Sequence, residues 1–229
     1  MWMATSADNL RMTFEAVLFD CDGVLVDSEA ITCGALRDML EEAGWALTLA
    51  DCMTHFVGYS VRSRADLIEA QTGKPLTDAF MDEFYRRRNL RLENEITAIE
   101  GIHEAVSFLH ERCEGRMAVA SGADRYKVEM MLARVGLAHF FEGRIFSGHE
   151  MPRSKPHPDV YLAAAAHLHI DPARCLVLED TPVGVTAGVA AGAEVWGYAA
   201  LGQAEVLRAA GARQVFVHMA ELPGLLAAA

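Results

Sequence analysis

Six short apolar runs constrain this chain more than any other feature: Glu15 to Phe19, Arg116 to Ala120, Arg144 to Phe146, Cys175 to Leu178, Glu194 to Tyr198 and Gln214 to Val217. Most are followed by a stretch with helical spacing. Strands that alternate with helices pair in parallel and need cover on both faces, so the expected fold class is α/β with a parallel sheet. Between the first and second runs the pattern changes. From residue 28 to 97 the apolar positions keep helical spacing: Ile31, Ala35, Leu36, Met39 and Leu40, then Ala65, Leu67, Ile68 and Ala70, then Phe80, Phe84 and Leu90. Gly44, Gly58 and Gly73-Lys74-Pro75 cut this block into several helices. It reads as a second, helical domain over 28–97 inserted into a sheet domain made of 1–27 and 98–229, with hinges at Val26 to Glu29 and Ile96 to Gly101. The polar opening, Met1 to Met12, is expected to be a poorly ordered lead-in.

Open parallel sheets bind ligands at the carboxyl ends of their strands, and here those ends carry chemistry. The first run leads into Asp20-Cys21-Asp22-Gly23-Val24, where a turn at Gly23 lets two carboxylates converge. Converging carboxylates repel, and a hard, oxygen-preferring cation such as Mg2+ relieves the repulsion. A solvated Asp-x-Asp-Gly turn uses the same residues. The second run leads into Ser121-Gly122, a hydroxyl and backbone N–H groups suited to a phosphoryl oxygen, or an ordinary helix N-cap. Lys155, in Arg153-Ser154-Lys155-Pro156-His157-Pro158, is a compact cation for phosphate oxygens or a solvated loop lysine. Glu179-Asp180 is a candidate metal-ligand pair, and Thr181-Pro182 behind it starts a helix; both readings hold together. Four chemically matched groups on one rim point to phosphate transfer.

Charge narrows the partners. Acidic residues outnumber basic ones by 32 to 20, a formal net charge of −12, which argues against nucleic acid and anionic membrane surfaces. An anionic substrate then needs local positive charge, which raises interest in any lysine, arginine or metal in a cleft. The five cysteines are scattered, without a Cys-x-x-Cys pair, and suit a reducing cytoplasm. No apolar stretch is long enough for a membrane span or secretory signal.

Taken together and in this order, Asp20-Cys21-Asp22-Gly23-Val24, Ser121, Lys155 and Glu179-Asp180 resemble the four motifs of the haloacid dehalogenase-like hydrolase superfamily, in the subgroup of β-phosphoglucomutase and small phosphosugar phosphatases. The likeness runs from Phe14 onward. It implies a Rossmann-like core, with residues 28–97 as a four-helix cap over the site, and a small phosphorylated metabolite as partner. By this resemblance Asp20 is the nucleophile that forms an aspartyl-phosphate and must stay ionised. Asp22 is the general acid and base, with a raised pKa. Mg2+ is held by Asp20, the Asp22 backbone carbonyl and Asp180, with Glu179 as a further or water-mediated ligand. Ser121, Gly122 and Lys155 bind the phosphoryl group.

Single positions separate the alternatives within that family. Asp22 favours attack on phosphorus, since the dehalogenase branch lacks this second aspartate. Thr32 stands where β-phosphoglucomutase has a histidine, and Ala123 where it has a polar residue, so hydrolysis is favoured over a mutase. Asp27-Ser28-Glu29-Ala30-Ile31-Thr32-Cys33 and Ser147-Gly148-His149-Glu150 resemble the phosphogluconate-phosphatase type most. A non-catalytic phosphometabolite-binding protein is the contender from another class. Substrate choice belongs to the cap, where Arg62 and Arg64, or Arg86, Arg87, Arg88 and Arg91, either meet a second anionic group or pair with Glu69, Asp82 and Glu83. His149 and His157 border the Lys155 loop. A monomer is compatible with all of this.

Overall fold

The first apolar run forms β1 (Ala16–Phe19), buried at all four positions, in a computed structural model that describes residues 14–57 and 59–228. A two-residue strand, β2 (Val26–Asp27), leads into α1 (Glu29–Ala43), α2 (Leu49–Phe56), α3 (Ala65–Thr72) and α4 (Asp78–Glu95), and the chain returns through β3 (Thr97–Ala98). Helices and strands then alternate: α5 (Ile102–Arg112), β4 (Met117–Ser121), α6 (Arg125–Arg134), β5 (Ile145–Ser147), α7 (Asp159–His167), β6 (Cys175–Glu179), α8 (Pro182–Ala190), β7 (Glu194–Tyr198), α9 (Ala204–Ala210), β8 (Gln214–Phe216) and α10 (Leu222–Ala228). The expected lead-in over Met1 to Met12 and the expected helix break at Gly58 lie outside the described residues.

The main sheet is parallel, in the order β5-β4-β1-β6-β7-β8, and all six predicted runs lie in it. Alternation of side chains along each strand divides the core in two. Val17, Phe19, Val119, Leu176 and Leu178 face α5, α6 and α10, while Leu18, Ala118, Ala120 and Val177 face α7, α8 and α9. Strand order reverses direction at β1, with β4 on one side and β6 on the other, and this switch point opens a crevice at the strands' carboxyl ends. Register fixes what meets there. Phe19 pairs with Val119 and with Leu178, so Asp20 lies level with Glu179, and Ser121 emerges one strand away.

Helices α1 to α4 enclose an apolar cluster of their own, built on Leu36, Met39, Leu40, Phe56, Ile68, Met81 and Phe84. The helix ends follow local chemistry. Gly44 and Gly73 terminate α1 and α3 in the left-handed conformation, and Thr48 and Thr77 cap α2 and α4 through their hydroxyls. The two crossings to the sheet, expected as hinges, contain a feature the sequence did not announce. Val26 pairs with Ala98 and Asp27 with Thr97, an antiparallel ribbon too short to show periodicity, which ties the crossings side by side. Among the described residues no helix is long and apolar enough to cross a membrane.

Candidate active site

The crevice beside β1 gathers carboxylates around one ammonium. Asp20 follows directly on β1, held by its backbone N–H donating to the Leu178 carbonyl at 3.0 Å, and its side chain is only 10% exposed. Lys155 reaches it from the loop before α7: its Nζ lies 2.6 Å from Asp20 Oδ1 and 2.7 Å from Glu179 Oε1, with the Tyr161 ring 4.8 Å away. Glu179 accepts five hydrogen bonds. Lys155 and the Tyr161 hydroxyl donate to Oε1, while the backbone N–H groups of Asp180 and Thr181 and the Thr181 hydroxyl donate to Oε2. Asp180 is the opposite case: its buried Oδ1 has no hydrogen-bond partner among the described residues. Carboxylate oxygens of Asp20, Glu179 and Asp180 lie within 4.8 Å of one another, so this buried acidic group can hold a metal ion. Gly23, at φ 79°, closes the cradle, because a Cβ there would overlap the Asp180 carboxylate.

Three carboxylates face one lysine, and the electrostatics follow. Burial first, then Glu179 and Asp22, push Asp20 up to about 7 against the pull of Lys155. Asp180 is raised well above the usual carboxylate range by burial and by Glu179 and Asp20. Lys155 stays firmly protonated: burial works against its charge, but Asp20 and Glu179 outweigh it. Such a surplus of buried negative charge, with one oxygen unsatisfied, fits a hard divalent cation with oxygen ligands.

Asp22 departs from expectation. The acid-base role implied for it predicts a raised pKa, yet the carboxyl is held below its usual value: burial raises it, and Lys127 and Ser28 more than offset burial. Lys127 Nζ lies 2.6 Å from Asp22 Oδ1, and the Ser28 hydroxyl donates to the same oxygen. Glu29, next along α1, is pushed up to about 7 by burial and then by Asp22.

The other candidates separate by distance from this centre. Ser121 is buried at the end of β4, where its Oγ accepts from the Ala123 N–H at 3.0 Å; the alternative reading of it as a helix cap does not hold, because Asp124 caps α6. Gly122 follows it on the exposed rim. Arg62 pairs with Asp78 at 2.7 Å and Arg64 stacks over Tyr59 at 3.5 Å, so both have local partners near α3 and α4 and neither contacts the carboxylate cluster. Arg86 and Arg87 pair with Glu83, and Arg91 pairs with Asp38. Arg88 alone of that group crosses to the sheet side, to Asp124 at 3.3 Å. His149 and His157 are exposed. Lys127 and Tyr161 went unremarked in the sequence, since a lysine or tyrosine at a helical position carries no signal of a partner on a distant strand.

Gly184, in the first turn of α8, lies where Glu179 needs room: a Cβ would overlap the Glu179 carboxylate. Gly184→Ala is expected to displace Glu179 and with it Lys155, destabilising the fold by about 1–3 kcal/mol and lowering any activity of the site. Urea unfolding read beside turnover checks both effects.

Comparison with known proteins meets the same geometry. A family model described as haloacid dehalogenase-like hydrolase matches residues 14–192. The 6-phosphogluconate phosphatase of Escherichia coli (strain K12) is 31% identical over 81% of this chain and 83% of its own, and hexitol phosphatase B of the same strain is 30% identical over 77% and 79%. A HAD family hydrolase from Deinococcus radiodurans R1, solved with bound phosphate and sodium, superposes with a TM-score of 0.79 at 35% identity, covering 95% of this chain and 96% of that one. With the parallel sheet, the loaded strand ends and these relatives in agreement, the chain belongs to the haloacid dehalogenase-like hydrolases and is an enzyme of that family.

Proposed function

We propose that the protein is a Mg2+-dependent phosphatase that hydrolyses a small phosphate monoester, a sugar phosphate or phosphorylated organic acid, through an aspartyl-phosphate on Asp20. The observation that carries this reading is the Lys155 ammonium bridging Asp20 and Glu179 beside the unpartnered Asp180 Oδ1. A nucleophile, its balancing cation and an unsatisfied oxygen ligand stand together where β1 and β6 end side by side. Residues 28–97 serve as a cap over that crevice, and five free, buried thiols suit a cytoplasmic protein.

The steps follow from the side chains. Asp20 attacks phosphorus, forming an O–P bond as the bond to the leaving oxygen breaks, and Asp22 delivers its proton to that oxygen. Asp22 starts ionised beside Lys127; an arriving phosphate dianion raises its proton affinity, so that it takes up a proton from solvent water, which it then donates to the leaving oxygen. Water next attacks phosphorus, its proton passes to Asp22, and Asp20 is released. Lys155 neutralises the phosphoryl oxygens against Asp20, while the Ser121 hydroxyl and the Gly122 N–H group donate to them. Asp20, Asp180 and the Asp22 carbonyl would hold Mg2+, with Glu179 as a further or water-mediated ligand, and the ion would supply charge neutralisation between nucleophile and phosphate.

Turnover of 4-nitrophenyl phosphate is expected with Mg2+ and is expected to vanish in EDTA, returning when Mg2+ is restored. No turnover by the metal-replete protein would remove the enzyme reading. A panel of phosphorylated sugars, sugar alcohols and sugar acids, ranked by kcat/KM, then identifies the substrate class.

A further inference from the structure

Lys127 is a buried lysine that no motif includes. It sits in the first turn of α6 with a side chain 7% exposed, 105 residues along the chain from the carboxylate it meets. Its Nζ and the Ser28 hydroxyl both donate to Asp22 Oδ1, and among the described residues nothing donates to Oδ2. Two donors on one oxygen fix the rotation of the carboxyl group and leave the other oxygen without a donor among the described residues, on a side chain that is 21% exposed. Packing does not account for the charge. Methionine would fill the same space without the cost of burying an ammonium, so the charge is explained by its partner. The lysine is itself held. Its backbone N–H donates to Asp124 Oδ1 at 2.9 Å, and Asp124 Oδ2 accepts from Arg88 of α4 at 3.3 Å, so the turn bearing Lys127 is anchored from the helical block.

We propose that Lys127 is a positioning residue for the proton-transfer step, holding Asp22 Oδ1 so that Oδ2 meets the leaving oxygen of the phosphate monoester. This rests on the phosphatase reading above. When Asp22 is protonated, the arrangement assigns the proton to Oδ2, because Oδ1 is engaged as an acceptor by two donors. That proton moves to the leaving oxygen as its bond to phosphorus breaks and the Asp20–phosphorus bond forms. Lys127 neither gives nor takes it. Its share of catalysis therefore scales with how badly the leaving oxygen needs a proton.

The test compares kcat/KM, which reports events up to phosphoryl transfer to Asp20, for two esters. 4-Nitrophenyl phosphate releases a stable phenolate, and phenyl phosphate releases a more basic one. Lys127→Met, with Lys127→Gln made in parallel so that the comparison does not depend on one variant folding, is expected to lose about 10²-fold or more on phenyl phosphate and only several-fold on 4-nitrophenyl phosphate. Lys127→Arg, which keeps the charge, is expected to recover part of the phenyl phosphate loss. In an Asp22→Asn background Lys127→Met is expected to change either substrate by no more than about twofold. Equal losses on both esters in folded variants, or the same loss repeated in Asp22→Asn, would overturn the positioning role. Wild type that turns over neither ester with Mg2+ would overturn the phosphatase reading beneath it, a result separate from any variant's behaviour.

Discussion

Asp20→Asn is expected to cut turnover of every phosphate monoester by about 10⁴-fold or more while leaving the protein folded. The replacement keeps the shape of the side chain and the backbone N–H bond to the Leu178 carbonyl at 3.0 Å. What disappears is the anionic oxygen 2.6 Å from Lys155, the atom assigned to attack phosphorus. Stability is not expected to fall. Asp20 is raised from 3.8 to about 7, so its ionised form works against the fold above that pH, and a neutral amide removes that burden. A second readout is covalent: wild type quenched during turnover should carry one added phosphoryl group, labile in base, and the variant none. Turnover persisting in purified variant, with deamidation of the new side chain back to aspartate excluded by mass, would mean that another group is the nucleophile.

The strand ends could be read from the sequence because each apolar run stops where its chemistry begins. Phe19 before Asp20, Ala120 before Ser121 and Leu178 before Glu179 mark the same edge of the sheet, and the register that aligns them follows from parallel pairing of runs of similar length. Helical spacing likewise revealed α1 to α4, since each stripe repeats several times. Asp22 shows where this kind of reading stops. The acid-base role that its motif implies predicts a raised pKa, whereas its neighbour in space is Lys127, placed by the packing of α6 against the sheet cluster. Tyr161 under Lys155 and the ribbon between β2 and β3 escaped for the same reason, being products of tertiary packing rather than of any local pattern. Arg62 and Arg64 show the converse. They stood out as basic residues in an acidic chain, yet Asp78 and Tyr59, both nearby, supply their partners.

Lys155→Met is expected to cost both rate and stability, with a stability loss that depends on pH in a defined direction. Lys155 is the cation hydrogen-bonded to Asp20 and Glu179 among the described residues, and its side chain is 8% exposed. Methionine fits the volume and removes the charge, leaving buried carboxylates unpaired, which costs about 3–5 kcal/mol when one partner of a buried pair is deleted. Burial and neighbouring acids already raise Asp20 from 3.8 to about 7 against the opposing pull of Lys155; without that pull its folded-state value rises further. A carboxyl raised in the folded state contributes stability that is fully present below its unfolded value and is lost as pH rises through the folded one. Measured by urea unfolding in EDTA, the deficit of Lys155→Met relative to wild type should therefore be largest above pH 7, where wild-type Asp20 is ionised against the lysine, and should shrink as acid protonates the cluster. Mg2+ should restore part of the lost stability, since a divalent cation meets the same charge, but not the rate, which should stay about 10²–10³-fold down for want of a donor to the phosphoryl oxygens. A deficit that is the same at every pH would show that Lys155 contributes packing alone, and the charge balance assigned to it would have to be given up.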